Sequence, residues 1–247
     1  MIPIKNEREI RIMKEGGRIL AAILKKLAAA TMPGVTTAEL DALANDLCRQ
    51  NRVKPAFLGF RGYPAALCTS VNNIIVHGIP SNTPLADGDI VGLDMGVLYK
   101  GFYTDSAVTV AVGMISQDAK RLLRATQEAL DLAIKIAKEG VTLGDLGNTI
   151  AGVAVKHKLG VVRELTGHGI GRDLQEEPSV PNYGTPGKGL KLKMGMTIAV
   201  EPMFTLGMPD TKLLKDNWSV MIKDSSLGAH FEHTIAIEKN GCRVLTN

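Results

Sequence analysis

Cysteine is scarce in this chain of 247 residues: Cys48, Cys68 and Cys242 are the only three. They are too few and too scattered for a disulfide framework or a Cys-x-x-Cys zinc site, which agrees with a reducing compartment. Aromatic residues make up 4% of the chain, with a single tryptophan, so the core must be built from aliphatic side chains. No apolar run reaches the ~18 residues of a membrane-spanning helix. The opening MIPIKNEREIRIMKEGG lacks the apolar stretch of a signal peptide, and a cytoplasmic location with no membrane contact is expected. The net charge is only +4. That permits an acidic neighbour, but no dense Lys/Arg cluster with interleaved aromatics argues for specific nucleic-acid binding. What is present, 45% hydrophobic and 22% charged residues, is the composition of an ordinary globular protein with a sizeable core.

Residues 6–31 space their apolar positions (Ile10, Ile12, Met13, Ile19, Leu20, Ile23, Leu24, Leu27) as a helix with charges between them. After Met32-Pro33-Gly34, Thr36 and Glu39 form a capping box that predicts a second helix to about Arg49. Residues 56–78 read as a loop followed by a strand ending in Ile74-Ile75-Val76-His77-Gly78. Ser116 to Lys138 is strongly amphipathic, Thr142 with Asp145 opens another helix, and strands return from Met194 onward.

The stretch from Gly88 to Asp105, GDIVGLDMGVLYKGFYTD, organises the rest. Two apolar runs flank Tyr99-Lys100-Gly101, which predicts a β-hairpin carrying Asp94 and Asp105. A Tyr99-Lys100 turn sets the two acids directly opposite each other. A Lys100-Gly101 turn sets them diagonally on one face, because side chains alternate with period two. Either register brings two like charges together in apolar surroundings, which calls for a raised pKa or a cation between them.

The second half echoes the first in the same order, with offsets of 106 and 107 at two of the four matches. Gly34-Val35-Thr36 returns as Gly140-Val141-Thr142, and His77-Gly78-Ile79 as His168-Gly169-Ile170. Gly88 to Asp94 returns as Gly195 to Glu201, and Thr104-Asp105 as Phe231-Glu232. The period is far longer than that of a solenoid, so a single domain over 1–247 is expected, built from one duplicated unit (roughly 1–115 and 116–247) with pseudo-twofold symmetry. Such symmetry gathers Asp94, Asp105, Glu201, Glu232 and His168 at one centre. Four carboxylates do not stay ionised together without cations, and two divalent ions balance them. Oxygen donors with one imidazole and no thiolate favour Mn, Fe(II), Co or Zn over Ca. The residues thus suggest a dinuclear metallohydrolase.

The motifs LDMGV…YTDSA, ELTGHGIGR, VEPM and FEHT, in this order, resemble those of type I methionine aminopeptidases over essentially the whole chain. The resemblance implies the pita-bread fold, an α/β (α+β) arrangement with a curved, mainly antiparallel β-sheet covered by helices. It implies the ligands Asp94, Asp105, His168, Glu201 and Glu232, with Glu201 also acting as general base, and His77 contacting the substrate amide. Tyr63, Cys68 and Trp218 match the family's methionine pocket, while Phe57, Phe60 and Leu174 occupy pocket positions where the family often has other residues. The implied reaction is removal of the initiator methionine from nascent chains with a small second residue, by a monomer that associates transiently with the ribosome.

The chain departs from the pattern at Gln175, which stands where a second active-site histidine is expected. Glutamine donates a neutral hydrogen bond but cannot carry charge or pass a proton, so a metal-loaded enzyme of reduced turnover is expected. The alternatives are a weak or inactive homologue that binds ribosomes, RNA or peptides, and a proline-specific aminopeptidase or dipeptidase. The complete ligand set argues against a metal-free, creatinase-like enzyme.

Overall fold

The computed structural model describes residues 2–247. Four helices form among them: α1 (Glu7–Ala30), α2 (Thr37–Asn51), α3 (Gln117–Ile136) and α4 (Leu143–His157). Each starts where a side chain satisfies the free N–H groups of the first turn. Asn6 with Glu9, Thr36 with Glu39, and Thr142 with Asp145 form capping boxes, and Ser116 caps α3 alone. The expected helices are all found. α2 continues past Arg49 to Asn51 and stops where Arg52 turns left-handed. No helix among the described residues is long and apolar enough to cross a membrane.

The helices cover a nine-stranded sheet. Its strands are β1 (Lys54–Pro55), β2 (Cys68–Val71), β3 (Ile90–Tyr99), β4 (Phe102–Ala111), β5 (Thr166–Gly169), β6 (Glu176–Pro181), β7 (Thr197–Val200), β8 (Glu232–Glu238) and β9 (Gly241–Val244). The order is β1-β3-β4-β8-β7-β5-β6, with β2 also on β3 and β9 also on β8, and every pairing is antiparallel. This is the curved antiparallel sheet expected of the pita-bread fold. β2 was not anticipated, because residues 56–78 read as one loop and one strand. The chain instead turns back at Asn72, whose φ is +54°, and pairs Cys68–Val71 with β3.

Alternation along the strands separates core from cavity. Val91, Leu93, Met95 and Val97 of β3 meet Leu20, Leu24, Leu27, Leu40 and Leu47 of α1 and α2. Ile198, Val200, Ile235 and Ile237 meet Leu122, Leu130, Leu146 and Ile150 of α3 and α4. The opposite face of the same strands carries Gly92, Asp94, Gly96, Asp105 and Ala107, small residues interrupted by acids.

The two helix pairs are tied to the sheet by matching backbone bonds. Gly34 N–H reaches Leu85 O at 2.8 Å and Leu85 N–H reaches Val35 O at 2.8 Å; Gly140 reaches Leu192 at 2.9 Å and Leu192 reaches Val141 at 2.8 Å. Gly88 to Val112 and Gly195 to Ile237, both at 2.9 Å, repeat the correspondence at the strand starts.

Candidate metal centre

The hairpin fixes the first two acids. Tyr99 pairs with Phe102, so the turn is Lys100-Gly101, and both turn residues have positive φ, +48° and +84°. This is the two-residue turn whose twist suits a hairpin. Of the two registers open in the sequence, the diagonal one forms: Asp94 pairs with Ala107 and Asp105 with Gly96. The same row continues across the sheet, from Cys68 opposite Asp94 to Ala107 opposite Glu232. Ala107, lying between Asp94 and Glu232, is small enough to leave open space in the row. Glu201 follows the last residue of β7, Val200, which pairs with His233. His168 lies on β5.

All thirteen side chains singled out in the sequence line one cavity of about 300 Å³. At its inner end ligand atoms of Asp105, His168 and Glu232 lie within 4.8 Å of one another, and His168 Nε2 is 3.7 Å from Glu201 Oε1. Asp94, Asp105 and Glu232 are buried. Burial, then the Asp105 carboxylate, pushes Asp94 far above the ordinary carboxylate range. Burial raises Asp105 to about 7 despite the N–H that Ser106 donates to it at 3.0 Å. Burial raises Glu201 and Glu232 as well, with neighbouring carboxylates adding to it. Asp94 Oδ1 and Glu232 Oε1 have no hydrogen-bond partner. Buried acceptors without donors are costly, and a cation is the partner that suits several at once. His168 Nδ1 contacts the Gly169 carbonyl at 2.8 Å. With that nitrogen donating, Nε2 turns its lone pair to the carboxylates, the usual posture of a metal-binding imidazole. The donor set fits divalent cations.

The rest of the cavity wall is largely apolar. Tyr63 meets Trp218 edge-on with centroids 5.1 Å apart and Phe57 at 6.5 Å, and its hydroxyl donates to Gly78 O at 2.9 Å. Cys68 and Leu174 are buried in the same cluster, and Phe60 packs at its margin. His77 enters from the loop after Val76 with φ +58°, a left-handed conformation uncommon outside glycine. Gly78 must follow, since a Cβ there would lie 2.2 Å from Thr69 O.

Two findings differ in depth from what the sequence conveyed. Gln175 is on the exposed rim of the cavity. Its loop is pinned by Glu176, which pairs with buried Lys5 and accepts the Arg172 N–H at 2.7 Å. His230, absent from the sequence reading, lies at the inner end: it is 3% exposed, with Nε2 3.6 Å from Glu201 Oε2. Burial, then His77, lowers its pKa to about 3. The available signal was period two, since His230 and Glu232 flank Phe231, whose ring joins the helix-side core. His233, by contrast, turns away to Thr246 Oγ1 at 2.8 Å.

Residues 11–239 match the model of metallopeptidase family M24. The chain is 44% identical over 246 residues to the methionine aminopeptidase of Clostridium perfringens, covering 100% of this chain and 99% of that one. It is equally identical, 44% with the same coverage, to methionine aminopeptidase 1 of Bacillus subtilis. The crystal structure of methionine aminopeptidase from Rickettsia prowazekii superimposes with a TM-score of 0.98 at 41% identity, covering 100% of both chains. With a fold, a donor set and full-length relatives in agreement, the chain belongs to metallopeptidase family M24, on its type I methionine aminopeptidase branch.

Proposed function

We propose that this chain hydrolyses the bond after an N-terminal methionine in peptides and nascent proteins whose second residue is small, using two divalent cations drawn from Co, Mn, Fe(II) and Zn. One observation carries the reading: a single cavity joins unpartnered buried carboxylates and His168 at its inner end to a wall of Phe57, Tyr63, Cys68 and Trp218. The methionine thioether, flexible and polarizable, suits such aromatic edges, and burying it contributes about 1.5–3 kcal/mol.

Asp94, Asp105, His168, Glu201 and Glu232 hold the cations. Bound divalent ions supply a water that ionises near neutral pH and an electrophile for the substrate carbonyl. Glu201 takes the proton from the attacking water as its oxygen bonds to the carbonyl carbon. The same carboxylate returns that proton to the departing amine as the C–N bond breaks. His77 donates a hydrogen bond to the substrate amide and orients it against the wall. Gln175, on the rim, offers an amide donor where the family resemblance implies an imidazole, and turnover is correspondingly reduced.

We read residues 1–247 as one domain made of two related halves, 1–115 and 116–247. The matching backbone bonds of Gly34 and Gly140, and of Gly88 and Gly195, support this. The reading includes a cytoplasmic monomer with transient ribosome contact.

The test is hydrolysis of Met-Ala-Ser, Met-Leu-Ser and Ala-Ala-Ser by EDTA-stripped protein before and after Mn²⁺ or Co²⁺. Metal-dependent release of methionine from Met-Ala-Ser alone is the expected result. No turnover of any peptide, with or without metal, would sink the reading.

A further inference from the structure

His230 is a buried imidazole that the mechanism above leaves without work. It ends the short strand Gly228–His230, which pairs with Met203–Thr205. Thr109 of β4 fixes its backbone from both sides: the His230 N–H donates to Thr109 Oγ1 at 2.9 Å, and the Thr109 hydroxyl donates to His230 O at 2.7 Å. Thr109 is two residues beyond Ala107 on β4, and His230 lines the same cavity as Asp105. Its Nε2 has no hydrogen-bond partner.

The spacing around that nitrogen is informative. Nε2 lies 3.6 Å from Glu201 Oε2 and 4.0 Å from Glu232 Oε2. Both exceed the roughly 2.7–3.2 Å of an N–H···O hydrogen bond, so the ring is not simply donating to either acid. Donor atoms that share one cation at about 2.0–2.2 Å stand roughly 3 to 4 Å apart. His168 Nε2, 3.7 Å from the other oxygen of Glu201, shows the same relation. Glu201 is thus bracketed by two imidazole nitrogens, one on each oxygen.

We propose that His230 is a further protein ligand of this centre, supplying a second imidazole to the cation held by His168 and Glu201. The proposal rests on the metal-centre reading above and adds to it. Its consequence is selectivity. A site with two imidazoles turns toward Zn, Co and Fe(II), and away from Mn, which is content with carboxylate oxygens. The two cations then differ in kind, one in a nitrogen-rich setting and the other among oxygens.

The experiment is X-ray absorption on the wild-type protein loaded with one equivalent of Co²⁺, counting imidazoles by their multiple scattering. Calorimetric titration of His230→Gln and His168→Gln with Zn²⁺, Co²⁺ and Mn²⁺ accompanies it. Two imidazoles in the wild type and one in each variant are expected. Affinity for Zn²⁺ and Co²⁺ should fall at least about tenfold in His230→Gln, with a smaller fall for Mn²⁺. The wild-type count does not depend on any variant folding. Metal bound through one imidazole, or His230→Gln titrating like wild type, overturns the place given to His230 while the centre stands. A wild-type protein that binds no metal overturns both.

Discussion

The two pairs of acids reach the same cavity by different routes. Asp94 and Asp105 share one hairpin, closed by two residues, Lys100 and Gly101. Glu201 and Glu232 lie at the ends of neighbouring strands, but all of 202–231 intervenes and folds into pieces of two smaller sheets. The first pair is set by local turn chemistry, which a sequence declares openly. The second depends on packing between distant segments, with Phe204 fully buried in the core under α3 and paired with Ala229 and Val161. Proximity in sequence makes the first pair robust, and tertiary packing makes the second conditional.

That contrast can be broken most forcefully at Glu201. Glu201→Gln removes the proposed general base, and kcat for Met-Ala-Ser should fall ~10²–10⁴-fold with the melting temperature of the metal-free protein unchanged or raised. A fall of less than tenfold would reassign the base. Phe204→Ala attacks the packing instead: it should destabilise the protein by ~3–5 kcal/mol in urea titration and lower the affinity for metal. Gly101→Ala places a Cβ at φ +84° and should cost only about 1–2 kcal/mol, with metal affinity retained because the hairpin remains otherwise intact. Equal losses of metal from Phe204→Ala and Gly101→Ala would erase the distinction drawn between the pairs.

The pH dependence sharpens the same picture. Asp105 rises from an ordinary 3.8 to about 7. Between about pH 4 and 7 the folded metal-free protein keeps a proton that the unfolded chain has lost, so this group's contribution to stability falls as pH rises through that window. A cation takes the proton's place. Metal binding at pH 6 should therefore release more protons than binding at pH 8, measurable by calorimetry in buffers of different ionisation enthalpy. The smallest change is expected from Gln175→His on the rim. It should raise kcat by less than ~10² with metal affinity unmoved, and no rise would dissociate Gln175 from turnover.

Much of this was legible in the chain itself. Capping boxes at Thr36 and Thr142, the helical spacing of α1 and α3, and the hairpin acids are local patterns, and each appears in the structure where it was read. The resemblance named thirteen side chains, and one cavity contains them all. What escaped was short or remote. β2 has four residues and Gly228–His230 three, too few for period two to stand out. His230 depends on Thr109, more than a hundred positions away. The loop that carries Gln175 is pinned through the pairing of Glu176 with Lys5, 171 positions away.

The row that runs Cys68, Asp94, Ala107, Glu232 also constrains how the strands can be aligned. A slip of one residue between β4 and β8 would turn Glu232 toward the helices and Phe231 into the cavity, since each step along a strand reverses its faces. Only the observed alignment puts Glu232 in one row with Asp94 and Ala107. Burial of the Phe231 ring against the helices therefore holds Glu232 in the cavity row, so that apolar packing sets the register of an acid.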